Sequence, residues 1–168
     1  MKQVIRIIDQ SNEKLGMAVR WVALAMLLST TYEVISRYFF NAPTIWAHQT
    51  VMILGGVFVS LSWGWVHLHH GHVNMDIILR RLSPRGQAIT NVVCSLLFLF
   101  PLLGFMIFVS SQLMMESWIK HEQWMQSIWR PPMGPNRTIL TIGFTFFLLQ
   151  GLAHFLRDLH YSIKGEAL

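Results

Sequence analysis

Residues 33–47, EVISRYFFNAPTIWA, decide the fold. The stretch places Glu33 and Arg37 one helical turn apart within an apolar helix, continues through an aromatic run and breaks at residues 41–43. A second helix follows, with Trp46 in its first turn. Aromatic residues concentrate at membrane interfaces, and Asn and Pro favour turns. The stretch therefore predicts a membrane helix that reaches the interface, turns tightly and is followed by a helix that re-enters the membrane.

The composition of the whole chain also indicates a membrane protein. Of its 168 residues, 53% are hydrophobic and 12% are charged, whereas about a quarter of a soluble domain is charged. The single cysteine, Cys94, excludes an internal disulfide, a CxxC redox pair and a cysteine-based zinc site. The first apolar run lacks a small-x-small cleavage site and ends in Glu33 and Arg37, which favours a retained membrane helix over a cleaved signal peptide.

Four apolar stretches are long enough to cross a bilayer. We predict one membrane domain over residues 1–168, with spans at residues 15–40, 45–67, 88–118 and 138–156. Residues 1–14 alternate apolar and charged positions with a helical period, which is typical of a helix on the membrane surface. The predicted fold is an all-α integral membrane protein with four transmembrane helices and an N-terminal amphipathic interfacial helix.

Two features within the predicted spans bear on helix packing. Small residues in the second span, Gly55, Gly56 and Ser60, allow another helix to approach closely. Pro101 in the third span lacks a backbone N–H, so we expect it to remove a hydrogen bond and disturb the helix there.

The distribution of Lys and Arg predicts the orientation. Nine of them lie on the side of the N-terminal segment, the second connection and the C-terminal tail, and four lie on the opposite side. Because basic residues concentrate on the cytoplasmic side of a membrane, we expect both termini in the cytoplasm.

The pair of Glu33 and Arg37 has two interpretations. Ionisable groups inside a membrane are costly unless they are paired or face protein or water. The pair therefore belongs either to a proton or ion relay or to a structural contact that positions the first helix. The absence of a second carboxylate within the spans favours the structural interpretation.

Histidines suggest two kinds of site. Four lie close together near the end of the second span: His67, His69, His70 and His72. Their spacing lacks the helical i,i+4 pattern and the supporting carboxylate of a metal site, so a partly protonated loop end is favoured. His48 and His154 would suit haem only if they faced each other at one depth, and they are predicted at opposite sides of the membrane.

No phosphate-binding glycine loop, serine nucleophile motif or pair of carboxylates at workable spacing occurs in the sequence. The residues alone therefore predict a small, non-enzymatic membrane protein without a metal site or cofactor, acting as a subunit of a larger assembly. A haem-binding electron-transfer subunit and a self-sufficient homo-oligomeric transporter are the alternatives.

Two motifs resemble the small membrane subunit, the DctQ family, of tripartite ATP-independent periplasmic (TRAP) transporters. The family's turn, Arg-Tyr-x-Phe-Asn-x-Pro-x-x-Trp-Ala, is similar to residues 37–47, with Arg37, Asn41, Pro43 and Trp46 at its defined positions. Its Gly-His-Val/Ile-x-x-Asp stretch resembles residues 71–76, which include His72 and Asp76. Family members often carry an acidic residue after the Trp-Ala pair, where this chain has His48 and Gln49.

The resemblance implies a sodium-driven symport of organic acids, such as C4-dicarboxylates or sialic acids, across the bacterial inner membrane. It also implies two partners: a large multi-span subunit with the substrate and sodium sites, and a periplasmic substrate-binding protein. This chain would be the scaffold of that heteromer. We expect the following residues to position its helices or contact its partners: Glu33, Arg37, Asn41, Pro43, Trp46, Gly55, Gly56, Ser60, His72 and Asp76.

Overall fold

The computed structural model describes residues 2–69, 83–125 and 128–165. It contains the helices α1 (Lys2–Phe39), α2 (Ala47–Leu68), α3 (Pro84–Cys94), α4 (Phe100–Ile119) and α5 (Gly134–Lys164). A π-helical turn at Ser95–Leu99 joins α3 to α4, so Pro84–Ile119 forms one continuous rod. Four of the resulting helices are long and apolar enough to cross a membrane. The predicted all-α membrane fold is confirmed.

Helix α1 is one unbroken helix where the sequence predicted a surface helix at residues 1–14 followed by a span at 15–40. The apolar residues of its first turns do not all face outward: Ile5 and Ile8 are buried in a cluster with Ala153, against which Leu156 packs. The apolar face of these first turns is therefore covered, at least in part, by α5. Whether residues 1–14 touch the membrane surface stays a prediction.

Gly16 does not interrupt α1, although glycine weakens a helix interior. A Cβ atom at this position would lie 2.2 Å from Cδ1 of Trp65 in α2. Glycine is required there because it lets the two helices approach closely.

The rod adapts to Pro101 without breaking. The N–H of Phe100 donates to the carbonyl of Ser95, five residues back, in place of the usual acceptor four residues back. Proline removes the following N–H of the ladder, and local π adjustments can re-satisfy the backbone groups that proline frees in a membrane helix. The disturbance expected at Pro101 lies in the turn that precedes it.

Helix α5 is the centre of the packing. It contacts α2 on one side and the rod on the other, while α2 also packs along α1. Glycines permit these approaches: a Cβ at Gly143 would lie 2.4 Å from the Ser60 carbonyl oxygen, and one at Gly151 would lie 2.5 Å from Leu99. In its most apolar segment, α5 has 22% of its residues buried, against 6% for both α1 and the rod.

The helices thus form an open arrangement, because α1 and the rod share no extensive contact among the described residues. Large apolar side chains remain exposed on both, including Trp21, Leu27, Leu28, Phe98, Phe105 and Phe108. These surfaces are available to lipid or to another membrane subunit. We call the side where α1 ends and α2 begins the turn side, and the opposite side the N-terminal side.

Candidate functional site at the turn between the first two helices

The connection from α1 to α2 is closed by backbone geometry that suits its sequence. Asn41 has a φ of 52°, in the left-handed region that asparagine tolerates better than most residues other than glycine. This bend lets the N–H of Ala42 donate to the carbonyl of Ser36 over 3.0 Å. Pro43 follows in the connection and needs no acceptor, because it has no N–H. The structure places Asn41 and Pro43 in the turn.

The carboxylate of Glu33 ties the helix to this turn. Its Oε1 accepts hydrogen bonds from Nε and Nη2 of Arg37, at 3.1 and 2.5 Å. Its Oε2 accepts from the backbone N–H of Thr44, at 3.1 Å, and from the Thr44 hydroxyl. Both oxygens are therefore occupied by groups that hold the chain in place, which favours the positioning interpretation of this carboxylate over a relay.

Thr44 completes the site, and the sequence analysis did not single it out. The sequence contained one indication of this role, the predicted chain reversal at residues 41–43. A donor that follows such a reversal can reach back to an acceptor in the last helical turns before it. The Glu33 side chain is 12% exposed and that of Arg37 is 53% exposed. The guanidinium thus shields the carboxylate and borders an apolar cleft of about 250 Å³ that His48 also lines.

Trp46 precedes α2, which begins at Ala47, and does not lie within its first turn. Its indole stacks on the ring of Tyr32 in α1, with centroids 5.7 Å apart and an interplanar angle of 26°. No side chain caps the start of α2, so the ring contact helps to set where the helix starts.

The small residues of α2 are used within the chain. A Cβ at Gly55 would lie 3.5 Å from Cε of Met26 in α1, while one at Gly56 would lie 3.3 Å from Oδ1 of Asn136 in α5. Ser60 is buried and supports the close approach of α5. These three residues therefore face two different neighbouring helices.

The other histidines named in the sequence analysis, where the structure describes them, lie away from the turn apart from His48. His72 and Asp76 lie outside the described residues, as does His70. His69 lies 2.8 Å from the carboxylate of Glu13, and His154 Nε2 lies 3.1 Å from the His67 carbonyl oxygen, both on the N-terminal side. Within the ranges that the structure describes, no group of three His, Cys, Asp or Glu residues could hold a metal ion.

His48 lies near the start of α2, on the turn side, whereas His154 contacts the far end of α2. The two are therefore separated along the length of that helix. This placement agrees with the expectation that they do not form a haem site together.

A second polar cluster, on the N-terminal side, escaped the sequence analysis. Asn12 Nδ2 donates to the Ile8 carbonyl and, over 2.9 Å, to Gln150 Oε1. Gln150 Nε2 donates to Asp9 Oδ1 over 3.0 Å, and Arg157 pairs with the same carboxylate. The only sequence signal was the presence of amides on otherwise apolar helix faces, and the distance along the chain hid their pairing.

This cluster also fixes α2. Asn12 and Gln150 are 1% and 0% exposed, and a Cβ at Gly64 would lie 2.1 Å from Asn12 Oδ1. In the described part of the chain, that oxygen has no hydrogen-bond partner. Three helices thus meet at one buried amide pair, which can form only while Gly64 leaves room for it.

The connection from α4 to α5 is also held by polar contacts. Arg137 Nη2 donates to Glu122 Oε1 over 3.0 Å, and its Nη1 lies 2.8 Å from Oε2. Trp118 Nε1 donates to the Thr138 hydroxyl over 3.0 Å. On the exposed side, a hydrogen bond to Glu116 raises the pKa of the Lys120 ammonium. The contacts of Glu122 and Trp118 join the two helices on the turn side.

A family model described as "Tripartite ATP-independent periplasmic transporters, DctQ component" matches residues 26–160. The chain belongs to the DctQ family. The match covers most of the chain, including the turn cluster and most of α5, while Asp9 and Asn12 precede it. No curated protein sequence and no solved structure matches the chain. The family and the four apolar helices identify a multi-pass membrane component of a TRAP transporter.

Proposed function

We propose that this DctQ-family chain is the non-enzymatic scaffold subunit of a sodium-driven secondary transporter that depends on a substrate-binding protein. Its substrates are organic acids of the C4-dicarboxylate or sialic acid type. The observation that carries the proposal is the use of Glu33, whose four hydrogen bonds all hold the helix and turn. A membrane carboxylate used in this way stabilises an architecture and leaves transport to another chain.

The open helix arrangement supports a docking role. The rod and α1 expose apolar side chains that, in the described part of the chain, no other helix covers. A large multi-span subunit can pack against such a surface through small residues, apolar contacts and a few hydrogen bonds. In this proposal that subunit contains the sodium and substrate sites, and the scaffold holds its static part while its transport domain moves.

The family description also motivates the third partner, a periplasmic protein that delivers the substrate. The Lys and Arg distribution supports an inner-membrane protein with both termini in the cytoplasm. The turn side would then face the periplasm. The exposed part of Arg37 and the connection between α4 and α5 would lie on the side from which the binding protein approaches.

Arg37→Ala tests the scaffold role. The substitution removes two of the four donors to Glu33, so we expect weaker assembly with the large subunit and lower uptake, with unchanged relative preference among substrates. Assembly is measured by co-purification and uptake in proteoliposomes with the large subunit and the binding protein. Arg20→Ala, at an exposed position of the same helix, serves as the matched control. An altered substrate preference in Arg37→Ala would contradict the scaffold role.

A further inference from the structure

An apolar groove of about 430 Å³ lies on the turn side between two connections that are distant in sequence. It is lined by Ile45 and Trp46, before α2, and by Ile128 and Trp129, between α4 and α5. Ile128 is 84% exposed, and the nearby Met125 is 90% exposed. We call these five residues the turn-side patch. Such exposure of large apolar side chains calls for a covering partner.

The stacking of Trp46 gives the level of the patch along α1. Its ring stacks on Tyr32, which lies seven residues before the end of α1 at Phe39. At the rise of an α-helix, this corresponds to about 10 Å below the helix end. Tyr32 is itself 52% exposed on the apolar span. The patch is therefore continuous with the exposed apolar surface of the α1 span.

The connection between α4 and α5 places Ile128 and Trp129 in the same groove as Trp46. Its backbone is paired near the tip, where the Trp124 N–H donates to the Pro131 carbonyl over 3.0 Å, and the Met133 N–H donates to Glu122 over 2.9 Å. Its carboxylate, Glu122, is paired with Arg137, and it lines a small cavity that Met125 of the patch also lines. Pairing of backbone groups lowers the cost of placing a segment at the edge of a membrane.

We propose that the turn-side patch is a membrane-interface anchor whose side chains insert among the lipid headgroups and the first acyl carbons of the adjacent leaflet. Trp at two of its five positions suits this depth, because indole rings favour the headgroup region. The patch contains no charged residue, and the exposed Arg130, which follows Trp129 in the chain, has a side chain long enough to reach lipid phosphate.

Spin labels measure the depth of the patch in the full chain. Cys94→Ser removes the only native thiol, and Met125→Cys or Ile128→Cys then carries a nitroxide, with Lys120→Cys as the control on the same connection. The labelled proteins are reconstituted into phosphatidylethanolamine–phosphatidylglycerol vesicles. We expect the ratio of oxygen to nickel-chelate accessibility to be several-fold higher at positions 125 and 128 than at 120.

Three outcomes would overturn the anchor. Chelate accessibility at positions 125 and 128 equal to that at 120 would place the patch in water. If the nickel chelate reaches positions 125 and 128 until the binding protein is added, and not afterwards, the patch is a protein-docking surface. Inaccessibility to both reagents would show that protein covers it. In an independent measurement with unlabelled protein, Trp129→Phe should reduce quenching of tryptophan emission by lipids brominated near the headgroup, whereas Trp63→Phe should not.

Discussion

The two ends of the helix assembly solve the same problem, the placement of polar groups among apolar helices, in different ways. On the turn side, Glu33, Arg37 and Thr44 interact within eleven residues of each other. On the N-terminal side, Asn12 and Gln150 meet across 138 residues. The turn cluster leaves Arg37 half-exposed, while Gln150 is fully buried. One cluster closes a local bend, and the other fixes the relative positions of three helices.

The difference indicates how the stability of the protein is distributed. A partly exposed ion pair contributes little because water and salt screen it, whereas a buried amide that loses its partner retains the full cost of desolvation. The N-terminal side is therefore expected to be the more sensitive to substitution, although the turn carries the family motif.

The largest effect is expected for Gln150→Leu. The change leaves the Nδ2 group of Asn12 with one acceptor and removes a donor from Asp9, both in a largely buried setting. We expect a loss of about 2–3 kcal/mol in the free energy of unfolding. The measurement is denaturation of the purified protein in detergent, followed by circular dichroism. Thr145→Val, which alters only a hydroxyl bonded within its own helix, is the control.

Combining Gln150→Leu with Asn12→Leu separates a pair interaction from general damage to α5. Replacing both partners of a buried hydrogen bond with apolar groups is much less costly than replacing one. The double variant should therefore be less destabilised than the sum of the two single variants. An additive result would show that the amide pair does not hold these helices together.

Asn41 provides a sharper test of the turn. Its left-handed backbone disfavours a residue with an ordinary Cβ, so Asn41→Ala should lower the free energy of unfolding by about 1 kcal/mol. Asn41→Gly should cost much less, because glycine adopts this conformation freely. Thermal unfolding of the two variants side by side measures the difference. Equal melting temperatures would exclude backbone strain as the reason for asparagine here.

Thr44→Val tests the hydroxyl that the sequence analysis missed. The variant keeps the backbone donor to Glu33 and loses only the side-chain donor. We expect a smaller fall in melting temperature than for Gln150→Leu. Thr50→Val is the matched control, because its hydroxyl bonds only to the Trp46 carbonyl. A fall of the same size in both variants would show that the bond from the Thr44 hydroxyl to Glu33 adds no stability of its own.

The smallest effect is expected at the exposed pair of Glu116 and Lys120, whose side chains are 48% and 67% exposed. Lys120→Gln should leave the melting temperature unchanged within error at physiological salt, since exposed pairs of this kind are screened. A fall comparable to that of Thr44→Val would show that the exposed pair of Glu116 and Lys120 contributes as much stability as the enclosed contacts of Glu33.

The same contrast explains what could be predicted from the sequence. The four apolar helices, the turn at residues 41–43 and the pairing of Glu33 with Arg37 all follow from local spacing, and the structure contains each of them. The disturbance by Pro101 is local as well. The sequence analysis treated residues 1–14 and 15–40 as separate segments, whereas α1 runs from Lys2 to Phe39 and packs Ile5 and Ile8 against α5, a contact that amphipathic spacing does not reveal.

The N-terminal cluster could not be predicted for a related reason. From the sequence, Asn12 is one polar residue of an amphipathic segment and Gln150 is an isolated amide in the last span. Only the structure shows that the two side chains are hydrogen-bonded to each other. Gly64 is one of several small residues in α2, and only its closeness to Asn12 Oδ1 shows why a larger side chain would not fit there. Long-range polar pairing in membrane helices leaves no periodic pattern in one sequence.

The central claim, that this chain is a scaffold for a larger transporter subunit, is tested most directly by purification from its native membrane. The tagged chain is extracted in mild detergent, and the proteins that accompany it are identified by mass. The account predicts a large multi-span membrane protein in equal amount. Recovery of the chain alone, or together with redox proteins, would contradict it.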